Sequence, residues 1–392
     1  MILEAPLDGV RERYEAITKK TNQHPKNRKV EIKIECVSLV LTQYGDENID
    51  RTTKSGRMKI PEQPKVTIAI PTYNRVTFLK KAVDSALEQT YKNIEIIVSD
   101  NASSDNTLEL LTSYDDDRLI VIRQETNIGM IRNWNACLAK ATGELFLLLS
   151  DDDFLEPTAI EEMSKVFTCG HAGVAAGDIG IAYCRSRIID ETGTTSGYGE
   201  RGSLVESAAS TVQLHFQCKR SVPLCATIIR TSDIRLLGGY DAEQFPLAAD
   251  AKVWMMASLK HGVVAYIDKV LANYRIHTLN VTSEVKVDDW IKENAKLAQM
   301  CINYFSTQGD KQSAKSIEQF IVQYNARAID CLIQRAAKGK KEKFSFIKQY
   351  SAYSRYFLGL YGIPLIFKGI LRICLPHSVV IRIKQIRSIL QR

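Results

Sequence analysis

The sequence predicts an α/β fold in which a mainly parallel sheet carries helices on both faces. The first observation is that short apolar segments, typical of strands, alternate with segments whose apolar residues recur at helical spacing. The second is the unbroken apolar run of residues 145–149, because a strand covered on both faces needs no polar side. The third is that polar residues follow the strands, and ligands bind at the carboxyl edge of such sheets.

The elements follow one another in a regular order. In the first half, the sequence predicts strands at residues 66–70, 94–98, 119–122 and 145–149, and helices at 78–87, from 107, at 128–141 and at 158–167. In the second half, it predicts strands at 179–189, 224–229, 263–267 and 271–274, a helix around 253–257, and a mobile Gly, Ser and Thr-rich loop at 193–202.

Composition places the chain among globular proteins. Its 392 residues, 45% hydrophobic and 25% charged, are enough for one large domain or two ordinary ones. Nine cysteines without metal-binding spacing indicate a reducing compartment. The first ten residues do not resemble a signal peptide, so we expect a cytoplasmic protein.

Three adjacent acids, Asp151, Asp152 and Asp153, follow the fourth predicted strand. Neighbouring carboxylates repel one another, so they must be solvated or share a cation. Tyr73 and Asp100 are expected at the same edge, with Asn135 on the helix between. An aromatic ring, carboxylates and a cation suit a nucleoside diphosphate with Mn²⁺ or Mg²⁺. The alternative is a solvated turn in which Asp153 caps the next helix.

Two other nucleotide-binding classes are excluded by their loops. The chain contains no Gly-x-x-x-x-Gly-Lys-Ser/Thr loop, which P-loop nucleotide hydrolases require. It also lacks the Gly-x-Gly-x-x-Gly turn of dinucleotide-dependent dehydrogenases.

Four motifs in this order resemble the inverting family 2 glycosyltransferases, which have the GT-A fold. They lie at residues 71–75, 100–107, 127–144 and 150–157, and the resemblance extends from 65 to about 277. It implies an enzyme that transfers a sugar from a nucleotide sugar, with a UDP-sugar as the expected donor, to a glycan acceptor.

The resemblance also implies roles for individual residues. The implied nucleotide-sugar-binding residues are Thr72, Tyr73, Arg75, Asp100, Asn135 and Asp151. The implied metal-binding residues are Asp152, Asp153 and His277, with Mn²⁺ or Mg²⁺ as the ion. For His277, a surface histidine that binds nothing is an equal alternative.

One further carboxylate is needed as the base. Inverting transfer requires a group that takes the proton of the acceptor hydroxyl as its oxygen attacks the anomeric carbon. Residues 249–254 resemble the family's segment that carries this base, and Asp250 is the match. A helix cap is the alternative role for Asp250, and Asp241 is a weaker candidate for the base.

The domain organisation follows from these assignments. We predict an N-terminal appendage of unassigned role at 1–64 and a GT-A domain at 65–285, in which 65–157 bind the nucleotide and 158–285 the acceptor. Residues 286–392 are predicted to form a helical region that becomes basic toward its end.

The basic end of the chain suggests a membrane surface. From Arg335 onward there are thirteen Lys and Arg residues and one acid, Glu342, interleaved with apolar residues. No run reaches the roughly 20 apolar residues of a spanning helix, so the pattern favours an interfacial helix on anionic lipid. A helix packed on the body is the alternative, and no recognition module for nucleic acid accompanies the charge.

A membrane-facing tail beside a sugar-transfer site suggests a lipid-linked acceptor. We expect polyprenyl diphosphate as the carrier, in the synthesis of an O-antigen or capsule type of surface polysaccharide at the inner face of the cell membrane. A catalytically idle nucleotide-sugar-binding protein of the same fold is the alternative, suggested by Asn101, Trp134 and Ser150, which depart from the family pattern. A nucleotidyltransferase is the third candidate function.

Overall fold

The computed structural model describes residues 60–277, 287–321 and 324. The strands are β1 (Val66–Thr72), β2 (Ile94–Asp100), β3 (Leu119–Arg123), β4 (Leu145–Leu148), β5 (Phe154–Leu155), β6 (Ile179–Ile189), β7 (Thr195–Tyr198), β8 (Val205–Ser207), β9 (Thr227–Arg230) and β10 (Val263–Arg275). The helices are α1 (Val76–Leu87), α2 (Thr107–Thr112), α3 (Met130–Lys140), α4 (Ala159–Cys169), α5 (Ala208–Phe216), α6 (Thr231–Leu236), α7 (Ala249–His261) and α8 (Val287–Thr307). Residues 311–321 are helical as well.

All of these strands belong to one sheet. Its order is β3-β2-β1-β4-β9-β6-β10-β5, with β7 beside β6 and β8 beside β10. Strands β1 to β4 run parallel to one another, which confirms the α/β prediction for the first half. Strand β9 runs antiparallel to both β4 and β6, so the second half of the sheet is mixed.

Helices cover the two faces of this sheet. Ile68 and Ile70 of β1 pack into one apolar cluster with helix α1, whereas Ala69 between them belongs to a second cluster with helix α3. Because successive side chains of a strand point to opposite faces, β1 needs apolar residues at every position. The unbroken apolar segments of the sequence therefore mark strands that are buried on both sides.

The carboxyl ends of the parallel strands meet at one edge of the sheet. Thr72 pairs with Asp100 across β1 and β2, and Ala69 pairs with Leu148 across β1 and β4. Residues 150–153 follow just beyond this edge. The fold thus brings together the polar residues that end each strand.

Several segments of the second half differ from the prediction. The strands predicted at 263–267 and 271–274 form the single strand β10, and helices α5 and α6 were not predicted. The predicted strand at 224–229 begins only at Thr227, because a turn of 3₁₀-helix precedes it. The predicted mobile loop at 193–202 contains strand β7, which pairs with β6. The carboxylate of Asp190 accepts hydrogen bonds from the backbone N–H groups of Thr192 and Thr194, and these bonds hold the connecting turn.

Two predicted regions lie partly or wholly outside the described residues. The chain divides into two units between Met58 and Lys59, and the first unit falls outside the described part, with nearly all of the predicted appendage. The basic tail from Arg335 also falls outside it.

Membrane-spanning helices were also sought. Within residues 60–277 and 287–321, no helix has both the length and the apolar character that crossing a bilayer requires.

A buried glutamate fastens the beginnings of three strands. Glu95 of β2 accepts hydrogen bonds from Thr67 Oγ1 at 2.5 Å, from the backbone nitrogens of Thr142 and Gly143 at 2.6 and 3.0 Å, and lies 2.8 Å from Lys65 Nζ. Burial by itself raises the pKa of Glu95, but these donors lower it to about 2. One carboxylate therefore ties β1, β2 and the turn before β4 together.

We expect Glu95→Gln to lower the free energy of unfolding by about 2 kcal/mol at neutral pH, because an amide cannot replace the charge among these donors. The folded pKa lies below the unfolded value, so this contribution is complete above about pH 5 and is lost as the pH falls toward about 2. Urea unfolding of both proteins at several pH values measures the difference.

The control is Glu109→Gln, at an exposed position of α2. It should change stability by no more than about 0.5 kcal/mol. Equal effects of the two substitutions would contradict the assignment of Glu95.

Candidate active site

A cleft of about 930 Å³ opens at the carboxyl edge of β1 and β4. Residues from the ends of these two strands line one part of it: Thr72, Tyr73, Arg75, Ser150, Asp151 and Asp152. Helix α7 contributes Asp250 and Trp254, and β6 contributes residues 183–186 and 188. One cleft therefore joins the polar strand ends with the first turns of a late helix.

The guanidinium group of Arg75 lies between two of the acids. Its Nη1 donates to Asp151 Oδ1 at 3.1 Å and to Asp152 Oδ2 at 3.0 Å. Thr72 Oγ1 donates to the second oxygen of Asp151 at 2.8 Å. Since both carboxylates are buried, Arg75 offsets negative charge that water cannot reach.

Burial raises the pKa of Asp151 to about 6, although Arg75 beside it favours the ionised form. The charge of Asp152 acts in the same direction as burial. Arg75 alone therefore does not compensate the acids fully, and a further cation at this position would be stabilised.

His277, which follows strand β10, contacts the carboxylate of Asp152. Its Nε2 lies 2.9 Å from Asp152 Oδ2, and its ring stacks on Phe78 with centroids 5.1 Å apart. The side chain is buried. His277 is therefore not a surface histidine, because it is held between an aromatic ring and an acid.

The 2.9 Å contact between Asp152 and His277 is a hydrogen bond in this structure, and the same spacing suits two ligands of one ion. Adjacent ligands about 2.1 Å from an octahedral ion lie about 3 Å apart, close to the 2.9 Å found here. Among the described residues, no group of three or more His, Cys, Asp and Glu side chains forms a complete metal site. Ions such as Mg²⁺ commonly take their remaining ligands from water and substrate phosphates. The pair fits a divalent ion that is shared with a diphosphate.

Asp153 has a different role from its two neighbours. It is not among the residues that line the cleft. Its Oδ1 accepts a hydrogen bond of 2.8 Å from the backbone nitrogen of Arg275, and the thiol of Cys225 donates to it as well. Burial and the charge of Asp152 raise the pKa of Asp153 well above its usual range. The structure does not support the predicted metal-binding role, since Asp153 fastens β10 to the turn after β4.

Among the residues predicted to hold the nucleoside, Tyr73 and Asp100 differ in exposure. Tyr73 is 44% exposed at the cleft, so its ring is available for packing on a base. Asp100 is fully buried, and its neighbour Asn101 lines the cleft instead. One oxygen of Asp100 accepts from the backbone nitrogen of Ser103, and the other lies 3.5 Å from Arg123 without a hydrogen bond.

Asn135 does not line the cleft. Its side-chain nitrogen donates to the carbonyl of Tyr240 at 2.7 Å, and its side-chain oxygen accepts from the backbone nitrogen of Tyr240 at 2.9 Å. Both ends of the amide are thus used to hold the turn before α7. The predicted contact of Asn135 with the nucleotide is not supported. Asn127 and Asn133, which the sequence analysis did not select, line the cleft from the same region.

Asp250 lies in the first turn of α7 and lines the cleft. It is not the helix cap, because the cap position is Ala248 and no side chain caps this helix. Burial raises the pKa of Asp250, which has a small apolar cavity beside it. Asp241, the weaker candidate, does not line the cleft and pairs with Lys252 at 2.8 Å.

Several cleft residues could not be found from the sequence. His215, Trp254 and Tyr324 come from α5, α7 and a helical segment about 70 residues beyond, and they meet only in the folded chain. The one available signal was the spacing of four residues between Asp250 and Trp254, which places both on one face of a helix.

Comparison with known proteins agrees with this geometry. Residues 67–207 match the family described as Glycosyl transferase family 2. An uncharacterized glycosyltransferase of Rickettsia typhi is 28% identical over 220 residues, which cover 56% of this chain and 66% of the relative. The GalNAc(5)-diNAcBac-PP-undecaprenol beta-1,3-glucosyltransferase of Campylobacter jejuni is 38% identical over 114 residues, 28% of this chain and 37% of the relative. The match thus spans less than two thirds of either relative.

The fold is shared with a solved structure. Residues 1–349 of S. aureus TarS in complex with UDP-GlcNAc superpose with a TM-score of 0.52 at 18% identity, over 79% of this chain and 80% of that one. The chain therefore has the GT-A fold. With the family match over residues 67–207, the chain carries a family 2 glycosyltransferase domain.

Two adjacent acids offer a test of the metal site. We expect Asp152→Asn to weaken binding of Mn²⁺ about ten-fold or more, because the carboxylate beside His277 is lost. The loss of signal from free Mn²⁺ in electron paramagnetic resonance measures the affinity.

Asp153→Asn is the matched control, since it changes the neighbouring acid that does not line the cleft. It should alter Mn²⁺ affinity less than about two-fold, because it removes no ligand. Equal losses in the two variants would contradict the assignment.

Proposed function

We propose that the protein is a metal-dependent inverting glycosyltransferase that moves a sugar from a nucleotide sugar to a glycan acceptor. The observation that carries this proposal is that one cleft is lined both by a pair of adjacent aspartates and by a third aspartate from a different element. Asp151 and Asp152 share Arg75, and Asp250 stands apart from them on α7 with its pKa raised by burial. The first group suits a charged donor, and the second suits proton transfer.

The donor in this proposal is a UDP-sugar. The ring of Tyr73 is available to pack on the uracil, and Thr72 holds the carboxylate of Asp151 in place. That a structure of similar fold contains UDP-GlcNAc supports this choice of nucleotide. Asp152 and His277 would hold the divalent ion, Mn²⁺ or Mg²⁺, which would neutralise the charge of the leaving diphosphate.

Asp250 acts as the base. Its carboxylate accepts the proton of the acceptor hydroxyl while the hydroxyl oxygen attacks the anomeric carbon from the face opposite the diphosphate. A raised pKa suits this task, because a more basic carboxylate removes a proton more readily once it is ionised. Arg75, which lines the cleft beside Asp151 and Asp152, donates to both carboxylates and holds them in position.

The proposed acceptor is linked to a lipid. The relative from Campylobacter jejuni is named for an acceptor on undecaprenol diphosphate, which supports this class of acceptor. The basic and apolar pattern beyond Arg335 supports work at an anionic membrane surface, in the synthesis of an O-antigen or capsule type of polysaccharide.

The reaction can be tested with a panel of UDP-sugars. We expect release of UDP from at least one of them in the presence of Mn²⁺, and no release after chelation with EDTA, because the diphosphate leaves only when its charge is neutralised. Binding without release of UDP would favour the idle binding protein. Release of pyrophosphate in place of UDP would favour a nucleotidyltransferase.

Asp250→Asn tests the base. We expect it to lower kcat about 10²- to 10⁴-fold, because an amide cannot take a proton, and to leave UDP affinity nearly unchanged. In the unaltered enzyme, kcat/KM should fall as the pH is lowered through the pKa of Asp250, which burial raises above the value of about 4 usual for Asp.

Asp241→Asn is the control, because Asp241 is paired with Lys252 outside the cleft. It should retain activity. Survival of transfer in Asp250→Asn, or its loss in Asp241→Asn alone, would reject Asp250 as the base.

A further inference from the structure

The cleft contains a histidine whose ring nitrogens have no hydrogen-bond partner in the described part of the chain. His215 lies near the end of α5, and both Nδ1 and Nε2 are buried. The backbone of Arg220 slightly favours the charged ring, but no hydrogen bond of ordinary geometry joins the two groups. Burial lowers the pKa of His215 to about 4, so the ring is neutral near pH 7.

A neutral imidazole has one donor and one acceptor. Leaving both without partners in a buried site costs free energy, and folded proteins rarely contain such groups without a reason. A bound hydroxyl group would remove this cost, because it can accept from one nitrogen or donate to the other. The site therefore favours a ligand with hydroxyl groups.

Aromatic rings surround the imidazole. The ring of Tyr324 is stacked on it with centroids 5.4 Å apart, and the indole of Trp254 meets it edge-on at the same distance. All three side chains line the cleft. Such rings provide flat apolar surfaces, which suit the C–H faces of a pyranose, while the imidazole provides the polar contact.

The distance to the proposed base fits one sugar. Asp250 and Trp254 are four residues apart on α7, which corresponds to about 6 Å along the helix. A pyranose with one hydroxyl at Asp250 can therefore reach Trp254 and His215 with its opposite side. Burial raises the pKa of Tyr324, and the charges of Cys218 and Asp250 act in the same direction, as expected for groups that lie near one another.

We propose that His215, Trp254 and Tyr324 form the subsite for the terminal sugar of the acceptor, with His215 bound to one of its hydroxyls. This inference rests on the proposed function and adds the acceptor's chemistry to it. A neutral ring among uncharged aromatic groups selects an uncharged sugar with a free hydroxyl besides the one that reacts.

The test uses His215→Phe, which keeps an aromatic ring and removes both nitrogens. The probes are methyl β-D-glucoside, methyl β-D-galactoside and methyl N-acetyl-β-D-glucosaminide, followed by saturation-transfer NMR on the full chain. We expect at least one to bind the unaltered protein and to shift the imidazole ¹⁵N signals of His215. In His215→Phe the affinity should fall about ten-fold or more, whereas His215→Gln, which keeps a donor and an acceptor, should restore most of it.

Thermal unfolding separates this role from a structural one. His215→Phe should not lower Tm, because it removes buried polar atoms that have no partner. The matched control is His171→Phe, which removes a contact of 3.0 Å to the carbonyl of Tyr266 at a position outside the cleft. The control should lower Tm and leave probe affinity unchanged.

Three results would overturn the proposal: no probe binds the unaltered protein, His215→Phe binds as tightly as the unaltered protein, or His215→Phe loses more stability than His171→Phe. Calorimetry of UDP binding with Mn²⁺ on the same samples tests the donor side separately. Sugar binding at His215 without UDP binding would leave this subsite standing and refute the proposed donor.

Discussion

Buried negative charge at the end of β4 is the constraint on which the arrangement of the cleft depends. Residues 151–153 are consecutive and all buried, so each carboxylate needs partners of its own. Those partners come from distant parts of the chain: Thr72 and Arg75 at the end of β1, Cys225 before β9, and Arg275 and His277 at the end of β10. The acids therefore join β1 and β10, which are the first and last strands in chain order.

Two carboxylates, Glu95 and Asp250, have opposite surroundings and different roles. Glu95 is surrounded by hydroxyl, amide and ammonium donors, which lower its pKa to about 2 and turn its charge into stability. Asp250 has an apolar cavity beside it, and burial raises its pKa. A carboxylate that is held ionised fastens strands, whereas one that is poorly solvated is suited to exchange a proton. The surroundings, and not the residue type, separate the two roles.

His215 shows that a binding site can lower the stability of the protein without its ligand. Its neutral ring is packed among aromatic rings without hydrogen-bond partners in the described chain, although an apolar residue there would leave no polar atom unsatisfied. Binding sites commonly keep groups that are unfavourable until the ligand arrives. Asp250 and His215 line the same cleft, where the proposed acceptor would bind.

The sequence by itself determined the parallel strands β1 to β4 and the polar residues that end them. Burial on both faces demands apolar residues at every position of a strand, and this pattern is local, so it can be seen without the structure. The position of Arg75, Asp151 and Asp152 at one edge follows from the same reasoning, because parallel strands end together.

Only the tertiary structure decided which polar side chains face the cleft. Asp153 and Asn135 lie within or beside recognised motifs, yet Arg275 and Tyr240, far away in the chain, hold them elsewhere. The antiparallel strand β9 and the meeting of His215 with Trp254 likewise depend on contacts between distant segments. Local periodicity specifies that a residue is buried, but the direction of its side chain is set by the partners that folding brings to it.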